Sequence, residues 1–304
     1  MLASTKEILE KANQGRYAVG HFNINNMEIV QGVVQAAINK KSPIILSTSE
    51  GAIKYAGLGF LHQLALTASE YVEIPIALHL DHGTNLQTIK DCINIGYSSV
   101  MIDASKEKFE KNIQLTKKVV QLAHKKGISV EAELGTIGGT EDNVSSKEII
   151  LADPEKTKEF VEKTGCDFLA AAIGTSHGAY KFKGKAELQL DILKQIKEKT
   201  KIPLVLHGAS SVPKNIVQQA QKYGAKLKGV SGVPEIQLKR AIYYGINKVN
   251  TDTDLRLAFD AAIRKFLKEN PKDFDPRHIL SPARELITKV TEHRIDVLGS
   301  SRKG

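Results

Sequence analysis

Leu78-His79-Leu80-Asp81-His82-Gly83 sets an acid beside an imidazole at the end of an apolar run that begins Ile74-Pro75-Ile76-Ala77. Burying such a pair at a strand end costs desolvation free energy, and chains keep it mainly where a metal or a reaction uses it. Two further histidines share the context. His177 and His207, like His82, stand at or just beyond an apolar run, and each precedes a glycine. Three neutral imidazoles around one open position make a catalytic zinc site. Three unrelated histidines are the alternative, and the repeated context weighs against it. His21, His62, His79, His124, His278 and His293 lack that context and read as structural or surface groups, with His79 able to support a ligand from behind. Asp81 adjoins a ligand, so it is the candidate general acid/base; orienting a histidine is its blander role. Asp103 and Glu133 end two other apolar runs. They could hold a second metal position or merely hydrogen-bond within a polar pocket.

These side chains meet only if the strands that carry them are neighbours. Strand-like runs recur at 17–24, 43–49, 74–80, 99–104, 129–134, 168–174, 203–207 and 246–250, each followed by a helical segment. Eight such units without a linker predict an α/β fold, a single (β/α)8 TIM barrel over 1–304, with 281–298 as a C-terminal helical extension. A doubly wound open sheet would usually carry a glycine-rich dinucleotide fingerprint after its first strand, and Gly20-His21-Phe22-Asn23 is not one. In a barrel all the strand C-termini share one face, where active sites are built. Gly208-Ala209-Ser210 and Asn250-Thr251-Asp252-Thr253 follow the seventh and eighth strands and offer backbone N–H groups to an anion. A helix starting near Thr253 adds its positive end. Ordinary turn and N-cap chemistry would use the same residue types. Lys181 and Arg256 could neutralise phosphate charge. The connections after the fifth and sixth strands are unusually long and read as lids or binding loops.

Composition narrows the classes. The 304 residues are 41% hydrophobic and 25% charged, an ordinary globular balance. No apolar run reaches the roughly 18 residues of a membrane-spanning helix. The segment Met1-Leu2-Ala3-Ser4-Thr5-Lys6-Glu7 has no apolar signal core. Cys92 and Cys166 lie far apart and read as reduced, so a cytoplasmic location is expected. The net charge of +9 comes from lysines dispersed along helices, and aromatics make up only 6%. Nucleic-acid and membrane partners are therefore not expected. A positive field that draws in a phosphorylated metabolite is the better use of the charge.

Phe22-Asn23, Ser49-Glu50-Gly51, Leu78 to Gly83, Val100 to Asp103, Glu131 to Gly135, Gly174 to Gly178, Leu206 to Ser210 and Asn247 to Arg256 together resemble the class II, metal-dependent fructose-1,6-bisphosphate aldolases, on the class IIB branch. The resemblance covers nearly the whole chain. It implies reversible cleavage of D-fructose 1,6-bisphosphate to dihydroxyacetone phosphate and D-glyceraldehyde 3-phosphate, in glycolysis and gluconeogenesis, through a zinc-stabilised enediolate. It implies zinc on His82, His177 and His207, with Asp103 and Glu133 at an alternative metal position. Asp81 matches the acid/base at the C4 hydroxyl or aldehyde oxygen. Glu141, in the loop after the fifth strand, matches the acid that exchanges the C3 proton. Ser49, Gly178, Lys181, Gly208, Ala209, Ser210, Asn250, Thr251, Asp252 and Thr253 match substrate and phosphate contacts. Homodimers or homotetramers and a monovalent cation, Na+ or K+, are also implied.

The related tagatose-1,6-bisphosphate aldolases tend to carry a Val-Ala-Thr-Glu-Leu-Lys-like run after the last strand's asparagine. Thr251-Asp252-Thr253-Asp254-Leu255-Arg256 stands here instead, with Asp252 and Arg256 expected to read C4 and the far phosphate. That favours fructose. Two further readings remain: a Schiff-base aldolase using Lys248 as its amine, and a non-catalytic phosphosugar-binding barrel.

Overall fold

A computed structural model describes residues 1–141, 144–146, 149–178, 187–227 and 229–304. Its strands are β1 (Val19–Asn23), β2 (Ile44–Ser49), β3 (Ile76–Gly83), β4 (Ser99–Ile102), β5 (Ser129–Leu134), β6 (Gly138–Glu141), β7 (Val144–Ser146), β8 (Phe168–Ala171), β9 (Ser176–His177), β10 (Leu204–Leu206) and β11 (Ile246–Thr251). Eight of them close into a parallel barrel in the order β1-β11-β10-β8-β5-β4-β3-β2. This is the expected TIM barrel. Every residue of these eight strands is buried, which is why they read as near-continuous apolar runs.

Alternation along each strand sorts side chains between the barrel interior and the helix layer. The lower interior is apolar: Val19, Ile45, Ala77, Phe168, Ala170 and Val205 form one cluster. Ile8, Leu9 and Ala12 of the helix Thr5–Gly15 close it from below. That helix was not expected, because the first residues were read only against a targeting signal. Ser4 caps it by accepting from the Glu7 N–H, and Thr5 Oγ1 lies 2.7 Å from Ser99 Oγ.

Two other elements depart from expectation. The C-terminal helix runs Pro276–Leu298, with Pro282 inside it rather than at its start. Asp275 caps it, accepting from the Arg277 N–H, and Pro276 occupies the first turn, where a missing N–H costs nothing. The long connection after β5 folds as strands: β6 pairs antiparallel with β7 and parallel with β9. This three-stranded sheet lies outside the barrel order and ties the segment after β5 to the segment after β8. No helix among the described residues is long and apolar enough to cross a membrane.

Candidate metal centre at the barrel mouth

Two residues up several of the strands the interior changes character. Val19 is followed by His21 and Asn23, Ala77 by His79 and Asp81, Val205 by His207, and Lys248 by Asn250. All these side chains are buried. The mouth is therefore a dense polar cluster on top of an apolar floor.

Asp81 and His82 are consecutive, and in a regular strand consecutive side chains point to opposite faces. The backbone breaks that rule locally. The β3–β4 register shifts between Leu80 and Gly83, and His82 sits at φ +47°, a left-handed conformation uncommon for a residue with a side chain. Gly83 is required there, because a Cβ would stand 2.4 Å from the Met101 carbonyl. The kink lets the carboxylate and the imidazole serve one site. Such local strain persists where surrounding structure over-determines it, often at functional positions.

The two histidines meet ring to ring, with His82 Nε2 2.9 Å from His207 Nδ1. Their outer nitrogens are each held by a carboxylate: His82 Nδ1 lies 2.9 Å from Asp103 Oδ2, and His207 Nε2 lies 2.7 Å from Glu131 Oε1. Carboxylates placed this way fix ring orientation and leave the inner nitrogens directed at a common point, the arrangement found behind metal-binding histidines. Ligand atoms of Asp81, His82 and His207 lie within 4.8 Å of one another, as do those of His82, Asp103 and Glu133. Asp103 thus supports His82 from behind while standing among possible ligands. Glu133 Oε2 is buried with no hydrogen-bond partner among the described residues.

Charge gives an independent test of whether a cation fits. Burial pulls His82 down, yet Asp81, Asp103 and Glu133 outweigh it and hold the imidazole well above its ordinary pKa. Burial, with Asp103 beside it, pushes the Glu133 carboxyl well above its usual range. Burial opposes ionisation of Asp103 too, but the His82 hydrogen bond holds it below the usual range. Burial lowers His207, against the pull of Glu131. A carboxylate cluster that retains protons in this way has a surplus of negative charge, and a divalent cation can displace those protons. The residues present fit a metal ion.

Asp81 is clamped. Asn23 Nδ2 donates to its Oδ2 and Asn250 Nδ2 to its Oδ1, both at 3.1 Å. Lys248 Nζ donates to Asn250 Oδ1 at 2.9 Å and pairs with Glu131 Oε2 at 2.8 Å. One chain of contacts therefore runs from His207 through Glu131, Lys248 and Asn250 to Asp81. An ammonium tied in this way is not an available amine nucleophile, which weakens the Schiff-base reading. Glu131 and Asn23 carry no site role in the sequence reading, and Lys248 enters there only as the Schiff-base amine; the structure gives all three a supporting role around Asp81 and His207.

The other expected residues are placed as follows. His177 lies on β9, and the backbone of Ser176 packs against Gly208, where an added Cβ would sit 2.6 Å from the Ser176 carbonyl. Gly208 adopts φ +60°, so glycine suits this contact twice over. Gly139 pairs with His177, which brings the strand ending in Glu141 alongside the histidine-bearing segment. Gly178 follows β9 at φ +82°. Lys181 lies outside the described residues.

Ser49 caps the helix Glu50–Ala56, accepting from the Ala52 N–H. Glu50 accepts from the backbone of Thr84 and Asn85 and so ties down the turn after His82. Ala209, Ser210, Asn250, Thr251 and Asp252 are buried, and Thr253 opens the helix Thr253–Glu269. Arg256 pairs with both Asp252 oxygens, at 2.8 and 2.7 Å. A cavity of about 430 Å³ lies between Ser49, Asn25 and Arg256.

Fold and site together define a (β/α)8 barrel whose mouth sets, against a clamped carboxylate, a histidine–carboxylate cluster that could hold a metal. The family model for class-II fructose-bisphosphate aldolases matches residues 3–303. The fructose-bisphosphate aldolase of Giardia intestinalis is 47% identical over 303 residues, covering 99% of this chain and 94% of the relative. That of Helicobacter pylori strain 26695 is 47% identical over 306 residues, covering 100% of both. Among solved structures, the YdjI aldolase of Escherichia coli K12 aligns with a TM-score of 0.82 at 32% identity, covering 100% of this chain and 99% of that one. The chain belongs to the class-II fructose-bisphosphate aldolase family.

Proposed function

We propose that this enzyme reversibly cleaves D-fructose 1,6-bisphosphate to dihydroxyacetone phosphate and D-glyceraldehyde 3-phosphate. The observation that carries the reading is the pairing of His82 and His207 beside the Asn-clamped Asp81. His82, His177 and His207 would hold zinc, with Asp103 and Glu133 near enough to hold it in an alternative position. Zinc bound there supplies Lewis acidity at the substrate's ketone oxygen.

The chain's own residues do the rest. Asp81 takes the C4 hydroxyl proton as the C3–C4 bond breaks and C4 becomes the aldehyde. Its two oxygens already accept from Asn23 and Asn250, so the carboxylate is oriented before substrate arrives. The electron pair released at C3 delocalises toward the C2 oxygen, and Glu141 delivers the proton that C3 requires. Gly208 to Ser210 and Asn250 to Thr253 receive one phosphate at the head of a helix. Ser49 and Gly178 contact substrate, and Lys181 and Arg256 supply positive charge.

Sugar-phosphate cleavage in the cytoplasm, by a homodimer or homotetramer responsive to Na+ or K+, completes the proposal. Tyr71 and Met27, exposed beside a groove of about 1010 Å³ on the barrel's outer face, support self-association.

The test is turnover of fructose 1,6-bisphosphate against tagatose 1,6-bisphosphate, before and after chelation and with zinc restored. Zinc-dependent cleavage that prefers fructose is expected. A tagatose preference would overturn the substrate, and turnover indifferent to chelation would overturn the metal. Binding without turnover would revive the phosphosugar-binding alternative.

A further inference from the structure

The C-terminal helix carries a buried arginine that the reaction scheme does not use. Arg294 is 3% exposed. Its guanidinium spreads over the loop that follows β10 and the last residue of β11. Nε donates to Thr251 Oγ1 at 3.2 Å, Nη1 to Ser211 Oγ at 2.6 Å, and Nη2 to the Ala209 carbonyl. No described carboxylate lies within ion-pairing distance of it. Asp254, the nearest in influence, is engaged with the N–H groups of Ser211 and Val212. A buried cation without a direct counter-ion is costly and calls for a role.

Geometry supplies one. The Ala209 carbonyl and the Ser210 N–H belong to the same planar peptide unit and point in opposite directions. Drawing the carbonyl toward Arg294 therefore turns the Ser210 N–H away from it. Among the described residues no group accepts from that N–H. A cation on the carbonyl also polarises the peptide and makes its N–H a stronger donor. Thr251 and Ser211 accept from Arg294 through their oxygens, so each hydroxyl hydrogen is left able to donate elsewhere.

We propose that Arg294 is a positioning residue for phosphate recognition: from the C-terminal helix it holds the Ala209–Ser210 peptide and the Thr251 hydroxyl so that their donors face the substrate's phosphate. The proposal rests on the reading of these loops as a phosphate site. It makes the C-terminal helix part of the binding apparatus rather than an appendage. Lysine would replace it poorly, because a single ammonium cannot reproduce three donors in a fixed fork.

The test is calorimetric titration of inorganic phosphate into the zinc-loaded wild type, Arg294→Met and Arg294→Lys, with zinc content and steady-state kinetics measured alongside. Arg294→Met is expected to raise the Kd for phosphate about tenfold, as for loss of charge-assisted hydrogen bonding. Its KM for the bisphosphate should rise in step while kcat and zinc content stay near wild type, and Arg294→Lys should fall between. A purely structural role would lower Tm without separating KM from kcat. A folded Arg294→Met that binds phosphate as the wild type does overturns the proposal. Should that variant not fold, the wild-type Ser210 amide resonance decides. It must move on phosphate addition, and an unmoved resonance overturns the proposal. Wild type that binds no phosphate would sink the phosphate-site reading itself.

Discussion

The floor and the mouth of this barrel are built on the same strands and obey opposite rules. At the floor, Val19, Ile45, Ala77 and Val205 meet Leu9 and Ala12 in an apolar plug that needs only volume and shape. Two residues higher, His79, His207 and Asn250 fill the same cylinder with groups that are each held by a polar partner. The floor contributes stability. The mouth consumes some of it to hold a carboxylate, two imidazoles and an ammonium in one arrangement. The difference teaches where tolerance ends: a floor residue can change size at a graded cost, whereas a mouth residue leaves a partner stranded.

Substitutions can break that contrast. Lys248→Met should have the largest effect on stability, because it strands the fully buried Glu131 carboxylate. That carboxylate is held below its ordinary pKa against burial, chiefly by Lys248, with help from His207 and His79. Loss of about 3–5 kcal/mol is expected in urea unfolding; a loss under about 1 kcal/mol would mean the histidines suffice to compensate Glu131. Leu9→Ala, at the floor, should cost roughly 2–5 kcal/mol by leaving a cavity. Its turnover at 25 °C should match wild type. A selective fall in turnover would mean that the floor helix also shapes the site.

The smallest effect sharpens the contrast through pH. Burial, aided by Lys248, lowers the His79 pKa to about 3 from an ordinary value of 6.5. The folded protein then binds fewer protons than the unfolded chain between those values. Stability from this group is complete above pH 6.5 and is lost as pH falls toward 3. Between pH 7 and pH 5 the unfolding free energy should drop by roughly 2 kcal/mol on its account. His79→Gln should flatten that part of the profile, and an unaltered slope would assign the acid sensitivity to other groups.

Much of this contrast was legible in the sequence, and the rest had a physical reason to be hidden. The strands were visible because a parallel barrel buries both faces of each, leaving unbroken apolar runs such as Pro43 to Leu46. The mouth was visible because polar residues gather at or just beyond the ends of many of the runs, as with Asp81 and His82, Asp103, His207 and Asn250. Its support was not. Glu131 bonds a histidine 76 positions away, and Arg294 a carbonyl 85 positions away. Pairings at such separations leave no local periodicity to read. The floor helix Thr5–Gly15 was missed for a different reason: its apolar side is only Ile8, Leu9 and Ala12, too short a pattern to stand out. The expected extension over 281–298 starts late for a related reason: Pro282 lies inside the helix, whose start is set by the Asp275 cap and Pro276.

The account turns on Asp81 as the proton-transfer group at a metal-binding mouth, and one measurement addresses both parts. Zinc stoichiometry and fructose 1,6-bisphosphate turnover should be determined together for the wild type and Asp81→Ala. Retained zinc with kcat reduced by about 10²–10⁴-fold is predicted. Turnover near wild type in the zinc-loaded variant would contradict the account and move the proton transfer to another group.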